Sequence, residues 1–362
     1  MTPLHKRKIA LIGGAGFIGH NLALALSSRG ADVFIIDSLR VNNLLAFSNA
    51  HPSTPNRDLY LRLINERQRL LRAADIPVYT QDARDEPALA DLLGMIQPQV
   101  LIHLAGISHA DRSNRQPHDA FEHTLYTLEN TLASARDCVE HFIFFSSSMV
   151  YGHFSSGVVT EETPCNPIGI YGALKFSGER LVIAHSQVFG LPYTIVRPAA
   201  LYGHRCVSRR VAQVFIENAL RGDNLIVDGD GADRLDFTYI NDLVGGVVQI
   251  IQTDESRGET FNLTFGCSRS IGELVDIVRN EFPGITVDYR PKDRLIPDRG
   301  TLCVDKARAL VGYDPQWPLE RGLAEYLQWY RTVGDIGPSE PKAARSLVIE
   351  AAPSRLPTPA TA

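Results

Sequence analysis

The sequence has little of what marks several classes of protein. Its five cysteines are odd in number and scattered singly, which fits neither a disulfide framework nor a metal site and favours a reducing, cytoplasmic location. Positive charge is not in excess, because 36 Lys and Arg face 41 Asp and Glu, so no nucleic-acid partner is expected. Since no apolar run approaches about 18 residues, no membrane span or membrane partner is expected either. The charged residues 1–8 do not resemble a signal peptide.

Short apolar runs alternate with amphipathic segments over the first 200 residues. Uninterrupted apolar strands between helices are typical of a parallel sheet that is covered on both faces. The pattern therefore predicts an α/β fold with a doubly wound parallel sheet. The predicted strands lie at 9–12, 33–36, 78–79, 100–104, 142–145 and 194–196, and the predicted helices lie at about 85–95, 118–138 and 171–189.

The chain divides into a dinucleotide-binding domain over 1–200 and a smaller substrate-binding lobe over 201–335, some of whose strands and helices return to the first domain. An insertion, 41–74, follows the second strand; its first half is predicted to be loop and its second half, 59–74, an extra helix. The lobe is predicted to contain helices at 207–221, 270–281 and 319–332 and strands near 225–227 and 260–264. Residues 337–362 are rich in Pro, Ala and Ser and are predicted to be disordered.

A glycine fingerprint indicates a dinucleotide cofactor. Gly13, Gly16 and Gly19 follow the first strand and open a helix, where they permit a tight turn and place a pyrophosphate on the helix N-terminus. Asp37 ends the second strand, where its carboxylate can bind the adenosine ribose hydroxyls and repel a 2′-phosphate. The pair predicts NAD; the nearby Arg40 leaves NADP open.

Tyr171 and Lys175 form a candidate catalytic pair. They lie four residues apart and hence on one face of a helix. A free tyrosine, with its pKa near 10, is a poor base, but a neighbouring ammonium and a positive nicotinamide favour the phenolate. Upstream, a buried strand ends in Ser146, Ser147 and Ser148, where a hydroxyl can bond the reacting oxygen of a substrate.

Together these motifs resemble the extended short-chain dehydrogenase/reductase family, in particular its NAD-dependent nucleotide-sugar epimerases and dehydratases such as the UDP-glucose 4-epimerases. The resemblance runs from about residue 8 to 330 and implies a Rossmann-type fold with a smaller C-terminal α/β lobe. The matching pieces, in chain order, are Gly13 to Gly19, Asp37, Asp82 to Asp85, His103 to Gly106, Ser146 to Gly152, Thr163 to Pro167, Tyr171 with Lys175, Arg197-Pro198, Leu201 to Gly203, Asp236 to Tyr239 with Asp242, and Leu310 to Tyr313.

The resemblance implies three sets of site residues. The catalytic set is Ser147, Tyr171 and Lys175. The cofactor set is Gly13, Gly16, Phe17, Ile18, Gly19, Asp37, Asp82, Ala83, Leu104, Ala105, Gly106, Tyr171 and Lys175. The substrate set is Ser108, His109, Ser147, Ser148, Tyr171, Arg234, Arg290 and Arg299, with Arg290 expected to grip the substrate diphosphate; Arg205, Arg209 and Arg210 are weaker candidates.

The sequence departs from the family pattern at several places, and its loop from Ser108 to Ser113 resembles that of the dTDP-glucose 4,6-dehydratases more than that of the galactose epimerases. Ala200 stands where the family often has Asn, and Leu235 stands where it usually has Arg, so that Arg234 lies one position early. The substrate contacts at these positions are therefore expected to differ from those of the best-known members.

The expected reaction is C4 epimerisation of a UDP-hexose or UDP-hexuronate through a transient 4-keto sugar. A 4,6-dehydratase or a decarboxylase is the alternative, but Ser148 and Met149 stand where those enzymes carry acidic residues. A non-catalytic NAD-binding regulator is a further alternative, against which the Ser147, Tyr171 and Lys175 set argues. By the same resemblance a homodimer is expected, paired through helices 118–138 and 171–189.

Overall fold

The apolar runs form a parallel sheet, seen in a computed structural model that describes residues 2–51, 54–136, 138–155 and 157–333. Among these residues the central sheet has seven strands, in the order β12-β7-β5-β4-β1-β2-β3, and every neighbouring pair is parallel. The strands are β1 (Lys8–Ile12), β2 (Asp32–Asp37), β3 (Val78–Thr80), β4 (Val100–His103), β5 (His141–Phe145), β6 (Val158–Val159), β7 (Tyr193–Pro198), β8 (Leu201–Tyr202), β9 (Leu225–Asp228), β10 (Arg234–Leu235), β11 (Thr238–Tyr239), β12 (Glu259–Leu263), β13 (Arg269–Ser270), β14 (Val287–Arg290) and β15 (Thr301–Leu302).

Helices cover both faces of this sheet, which confirms the predicted Rossmann-type, doubly wound α/β fold. The α-helices are α1 (Phe17–Ser27), α2 (Leu44–Ser48), α3 (Arg57–Ala73), α4 (Glu86–Ile96), α5 (Ala110–Arg115), α6 (Pro117–Phe121), α7 (Thr127–Ala135), α8 (Gly169–Phe189), α9 (Val211–Arg221), α10 (Ile240–Gln252), α11 (Ile271–Glu281), α12 (Asp305–Val311) and α13 (Leu319–Val333); short 3-10 helices lie at Ser148–Tyr151 and Asp254–Ser256.

Strand β1 shows how the sheet feeds two cores. Its last four residues, 9–12, are buried and alternate in direction, since successive side chains of a strand point to opposite faces. Ile9 and Leu11 pack into the core shared with the C-terminal half, whereas Ala10 and Ile12 pack into the core beneath α4, α7 and α8.

The strand order places a crevice beside β1. The chain moves outward from β1 to β2 and β3 and then returns to the other side of β1 with β4. Loops after β1 and β4 therefore leave the sheet edge in opposite directions, and in open α/β sheets ligands bind at such a switch point.

Several predicted boundaries are wrong. The first half of the insertion is not all loop, because it contains α2, whose N-terminus Asn43 caps. The helix predicted at 207–221 begins only at 211, because Arg209 has a positive φ of 50° and Arg210 is extended. Helices α10 and α12 were not predicted. The strand predicted near 260–264 is present as β12 and joins the central sheet beside β7, so it is a strand of the lobe that returns to the first domain.

The helix predicted at 118–138 is also interrupted. It consists of α6, a π-helical turn over Glu122–Tyr126, and α7. A π turn accommodates an extra residue and is frequent at functional sites.

No helix within the described ranges is both long and apolar enough to cross a bilayer. The predicted disordered tail, 337–362, lies outside the described residues.

Candidate active site

A cavity at the carboxyl ends of β1, β2 and β4 holds the predicted cofactor residues; we call it the dinucleotide cavity. It is lined by all of the predicted cofactor set apart from Tyr171 and Lys175, that is, by Gly13, Gly16, Phe17, Ile18, Gly19, Asp37, Asp82, Ala83, Leu104, Ala105 and Gly106. The structure thus brings together residues that are up to 93 positions apart in the sequence (13 to 106).

The glycine-rich turn leaves a helix terminus free for an anion. Gly13 has a φ of +75°, and a Cβ there would lie 2.8 Å from the backbone nitrogen of Ala105, so only glycine fits. Helix α1 has no side-chain cap and no acidic residue in its first turn. Its first N–H groups therefore remain available to a pyrophosphate, and the helix dipole favours negative charge there.

Asp37 is positioned by the same turn. Its carboxylate accepts hydrogen bonds from the backbone N–H of Ala15 at 3.0 Å and of Leu39 at 2.7 Å. Burial raises the pKa of Asp37 to about 6, so the group is ionised at neutral pH. Arg40, which left NADP open, instead pairs with Asp82 at 3.7 Å.

A second cavity, the substrate cavity, adjoins the first and contains the predicted catalytic residues. Ser147, Ser148, Tyr171 and Lys175 line it, and Ser108 lines both cavities. Tyr171 and Lys175 stand one turn apart on α8, which packs beside the 3-10 helix that follows β5.

Lys175 is held rigidly at this boundary. Its Nζ donates a hydrogen bond to the carbonyl of Phe145 at 2.8 Å and lies 3.6 Å from the position that a Cβ on Gly106 would take. Burial lowers the pKa of Lys175 to about 8, and the charge of Glu179 opposes that shift. The ammonium is therefore mostly charged at neutral pH while standing next to the cofactor cavity.

The three serines after β5 have different surroundings. Ser147 Oγ accepts a hydrogen bond from the N–H of Met149 at 3.2 Å, which leaves its own proton free for another acceptor. Ser146 Oγ donates to Glu179 at 2.5 Å and is thereby engaged inside the protein. Ser148 is 2% exposed and lies on the cavity wall.

A third cavity, the outer cavity, continues from the substrate cavity toward the C-terminal lobe. Arg210 and Arg299 line both of them, and Arg210 also reaches the dinucleotide cavity, where it donates to the carbonyl of Ser108 at 3.1 Å. Burial and the neighbouring Arg210 lower the pKa of Arg299 to about 10, which still leaves it charged at neutral pH. His109 lines only the outer cavity.

Two predicted substrate residues do not reach these cavities. Arg234 donates to Ser268 Oγ at 3.0 Å and is exposed, because alternate residues of strand β10 point in opposite directions and Leu235 lines the outer cavity instead. Arg290 ends strand β14 and is exposed. Neither residue lines any of the three cavities.

The structure adds lining residues that the sequence analysis did not assign. Asn42, from the insertion, lines the dinucleotide cavity and donates to Ser108 Oγ at 3.2 Å. His123, within the π turn, and Thr127, directly after it, line the same cavity. In the sequence, only the residue type gives a hint of this position, because Asn is one of the few residues other than glycine that tolerate the positive φ of 48° found at Asn42.

Comparisons with known proteins agree with this architecture. The model of the NAD dependent epimerase/dehydratase family matches residues 9–264. An uncharacterized UDP-glucose epimerase from Bacillus subtilis is 28% identical over 327 residues, which are 89% of this chain and 97% of that protein.

Two solved structures extend the comparison. A UDP-glucuronic acid 4-epimerase variant from Bacillus cereus, in complex with UDP-4-deoxy-4-fluoro-glucuronic acid and NAD, has a TM-score of 0.80 at 25% identity, with 90% of this chain and 100% of that chain covered. A dTDP-glucose 4,6-dehydratase variant from Streptomyces venezuelae with NAD bound has a TM-score of 0.77 at 26% identity, with coverages of 89% and 96%.

The chain therefore belongs to the NAD dependent epimerase/dehydratase family. The dinucleotide cavity fits the cofactor: the uncapped start of α1 suits the pyrophosphate, and the Asp37 carboxylate suits the adenosine ribose. Among the described residues no cluster of His, Cys, Asp and Glu could hold a metal ion.

Proposed function

We propose that this protein is an NAD-dependent nucleotide-sugar epimerase that inverts C4 of a UDP-hexose or UDP-hexuronate through a transient 4-keto sugar. The observation that carries the proposal is the composition of the substrate cavity. Ser147, Tyr171 and Lys175 meet there beside the dinucleotide cavity, and no Asp, Glu or His lines it within the described part of the chain.

The missing carboxylates are the reason to prefer epimerisation. A 4,6-dehydratase must move a proton from C5 and another to the departing C6 hydroxyl, which calls for an acid and a base beside the sugar. The nearby carboxylates are engaged elsewhere: Asp111 pairs with Arg115 at 2.8 Å in the outer cavity, and Glu161 accepts the backbone N–H of Asn262 at 2.7 Å.

The catalytic residues act on one proton. The chemistry that bound NAD would supply is hydride transfer, with uptake from C4 and return to the opposite face of the 4-keto sugar after that sugar has turned over in the cavity. Tyr171 accepts the proton of the sugar 4-hydroxyl and later gives it back, Ser147 hydrogen-bonds the same oxygen, and the Lys175 ammonium stabilises the phenolate. Since Lys175 Nζ is fixed on the Phe145 carbonyl, this charge stays in place throughout the cycle.

The rest of the nucleotide sugar extends into the outer cavity. Arg210 and Arg299, at the boundary with the substrate cavity, are suited to the diphosphate because a guanidinium donates two parallel hydrogen bonds. In this assignment Arg299 keeps its predicted role as a substrate residue, and Arg210, a weaker candidate in the sequence, takes the place predicted for Arg234 and Arg290. Ser108 and Ser148 contact the sugar, and His109 contacts the more distant part of the substrate.

Exposed apolar residues support the homodimer. Phe121 is 49% exposed on α6 and Val188 is 71% exposed on α8, and these two helices pack side by side. Leu128 and Leu132, which lie on the same predicted helix as Phe121, are fully buried within the protomer and cannot contribute to a dimer contact. The isologous contact is therefore formed by the outer residues alone.

We further place the enzyme in the cytoplasm, because its five cysteines are odd in number and scattered singly along the sequence, which does not suit a disulfide framework. Its division into a cofactor domain (1–200) and a substrate lobe (201–335) accords with the cavities that lie along that boundary.

Product analysis tests the proposed reaction. Incubation with UDP-glucose and UDP-glucuronic acid is expected to give the C4 epimer, identified by NMR, with an unchanged mass. Tyr171→Phe should abolish turnover, and Ser147→Ala should lower kcat at least about a hundredfold while NAD remains bound. Tyr289→Phe, at an exposed tyrosine on β14, is the matched control and should retain full activity.

A product lighter by one water or one carbon dioxide would make the protein a dehydratase or a decarboxylase. Binding of NAD with no turnover of any nucleotide sugar would favour the non-catalytic regulator.

A further inference from the structure

A buried histidine holds the glycine-rich turn from behind. His20 is fully buried on α1, and its Nδ1 lies 2.8 Å from the carbonyl oxygen of Gly16, while Arg205 Nε lies 3.0 Å from its Nε2. Arginine can only donate, so His20 Nε2 must accept and the ring proton must be on Nδ1. Burial and the charges of Arg67 and Arg205 hold the pKa of His20 well below its usual value, which keeps the ring neutral.

The next residue repeats this arrangement. Arg205 Nη2 donates to Asn21 Oδ1 at 3.1 Å, which orients the amide so that Asn21 Nδ2 donates to the carbonyl of Phe17 at 2.9 Å. One guanidinium therefore sets the direction of two side chains. Each of these two side chains donates a hydrogen bond to a backbone carbonyl at the start of α1.

The insertion in turn holds Arg205. Arg205 has a positive φ of 63°, a conformation that costs free energy for a residue other than glycine. Arg67, on α3, donates from Nε at 3.1 Å and from Nη2 at 2.5 Å to the carbonyl of Arg205. Glu66, on the same helix, pairs with the Arg205 guanidinium at 3.4 Å.

The burial of Arg67 is energetically unfavourable. It is fully buried, makes no ion pair within the described residues, and its Nη1 has no hydrogen-bond partner there. A buried guanidinium satisfied mainly by one carbonyl does not favour stability. Such a violation of packing rules is expected at functional sites.

We propose that Arg205 is a positioning residue for the dinucleotide, acting through His20 and Asn21, and that insertion helix α3 serves to hold it. In a trans peptide group the C=O and N–H point in opposite directions. Anchoring the carbonyls of Gly16 and Phe17 inside the protein therefore aims the N–H groups of Phe17 and Ile18 at the dinucleotide cavity. This inference rests on the proposed use of NAD.

The test measures NAD affinity by calorimetric titration of the full-length protein. Arg205→Met is expected to raise the dissociation constant about tenfold, the effect of one lost charge-assisted hydrogen bond. Arg67→Met should also raise the dissociation constant for NAD. The double variant Arg67→Met/Arg205→Met should bind NAD no more weakly than Arg205→Met alone, because Arg67 acts through Arg205. Arg72→Met, exposed on the same helix, is the control and should bind NAD normally.

Turnover and NMR separate this role from a merely structural one. With saturating NAD, kcat and the KM for the sugar nucleotide should be unchanged in Arg205→Met, since only the cofactor site is affected. In the unmodified protein, 15N NMR of the imidazole should show the neutral Nδ1–H form of His20. This second measurement does not depend on any variant folding.

Three results would overturn the proposal: equal NAD affinity in Arg205→Met and the unmodified protein, additive losses in the double variant, or an Nε2–H form of His20. If the unmodified protein itself binds no NAD, the proposed function fails as well. Normal NAD binding that is insensitive to Arg205 refutes this inference alone.

Discussion

Arg197→Met is the sharpest test of the polar network behind the catalytic helix. Arg197 donates from Nε at 2.9 Å and from Nη2 at 2.7 Å to the two carboxylate oxygens of Glu179, and its Nη1 donates to the hydroxyl of Tyr151 at 2.9 Å. Both charged residues are almost completely buried, at 6% and 2% exposure. Methionine roughly preserves the volume of the side-chain stem while removing the charge.

The expected loss of stability follows from the hydrogen bonds that remain to Glu179 in the variant. Without the guanidinium, the hydroxyl of Ser146 at 2.5 Å is the one side-chain donor that Glu179 keeps among the described residues. Breaking a buried pair in this way costs about 3–5 kcal/mol, and two lost charge-assisted hydrogen bonds at about 1.5–3 kcal/mol each give about 3–6 kcal/mol, which overlaps that range. The free energy of unfolding should fall by that amount.

Urea unfolding without added NAD, followed by circular dichroism, measures the loss. The double variant Arg197→Met/Glu179→Met leaves neither member of this ion pair buried without its partner, so its destabilisation should be smaller than the sum of the two single losses. Arg308→Met is the control: its exposed ion pair with Asp305, at 3.2 Å, should contribute less than about 1 kcal/mol. A loss below about 1 kcal/mol for Arg197→Met, or strict additivity in the double variant, would refute the reasoning.

Two other predictions concern cofactor choice and pH. NAD should bind at least about tenfold more tightly than NADP, a difference of about 1.4 kcal/mol in binding free energy. Asp37→Asn should reduce this difference between the two affinities. Equal affinities for NAD and NADP in a calorimetric titration of the unmodified protein would contradict the role of Asp37. Because the pKa of Lys175 is about 8, kcat should fall as pH rises through that value and the ammonium loses its proton. Glu179→Gln removes a charge that favours the ammonium, so the fall should move to lower pH; an unmoved pH–rate profile would exclude this coupling.

The parts of the site that are formed by residues close together in the chain could be predicted from the sequence alone. A strand, a glycine turn and a helix within 20 residues make the start of α1 an anion site, and the next strand must then end at Asp37 on the same sheet edge. Tyr171 and Lys175 share a helix face because they are four residues apart. Such features follow from period and backbone conformation, which short segments carry with them.

Which arginines line the substrate cavity and the outer cavity depends on the tertiary structure. The resemblance favoured Arg234, Arg290 and Arg299, yet strand β10 turns Arg234 toward Ser268, and β14 leaves Arg290 exposed. Of these three only Arg299 lines one of the cavities, and Arg210, a weaker candidate in the sequence, lines the same cavities from a separate loop. A side chain's direction on a two- or four-residue strand depends on which neighbour pairs with it, and no local pattern specifies that neighbour.

The contacts behind the glycine turn were likewise invisible in the sequence. Arg67, Arg205 and His20 lie up to 185 positions apart, and each has the appearance of an ordinary residue of a helix or loop. They meet because α3 of the insertion packs on α1 and the loop after β8 returns to the same place. Local periodicity determines which segments become helices and strands, whereas the packing of those segments determines which distant polar groups become partners.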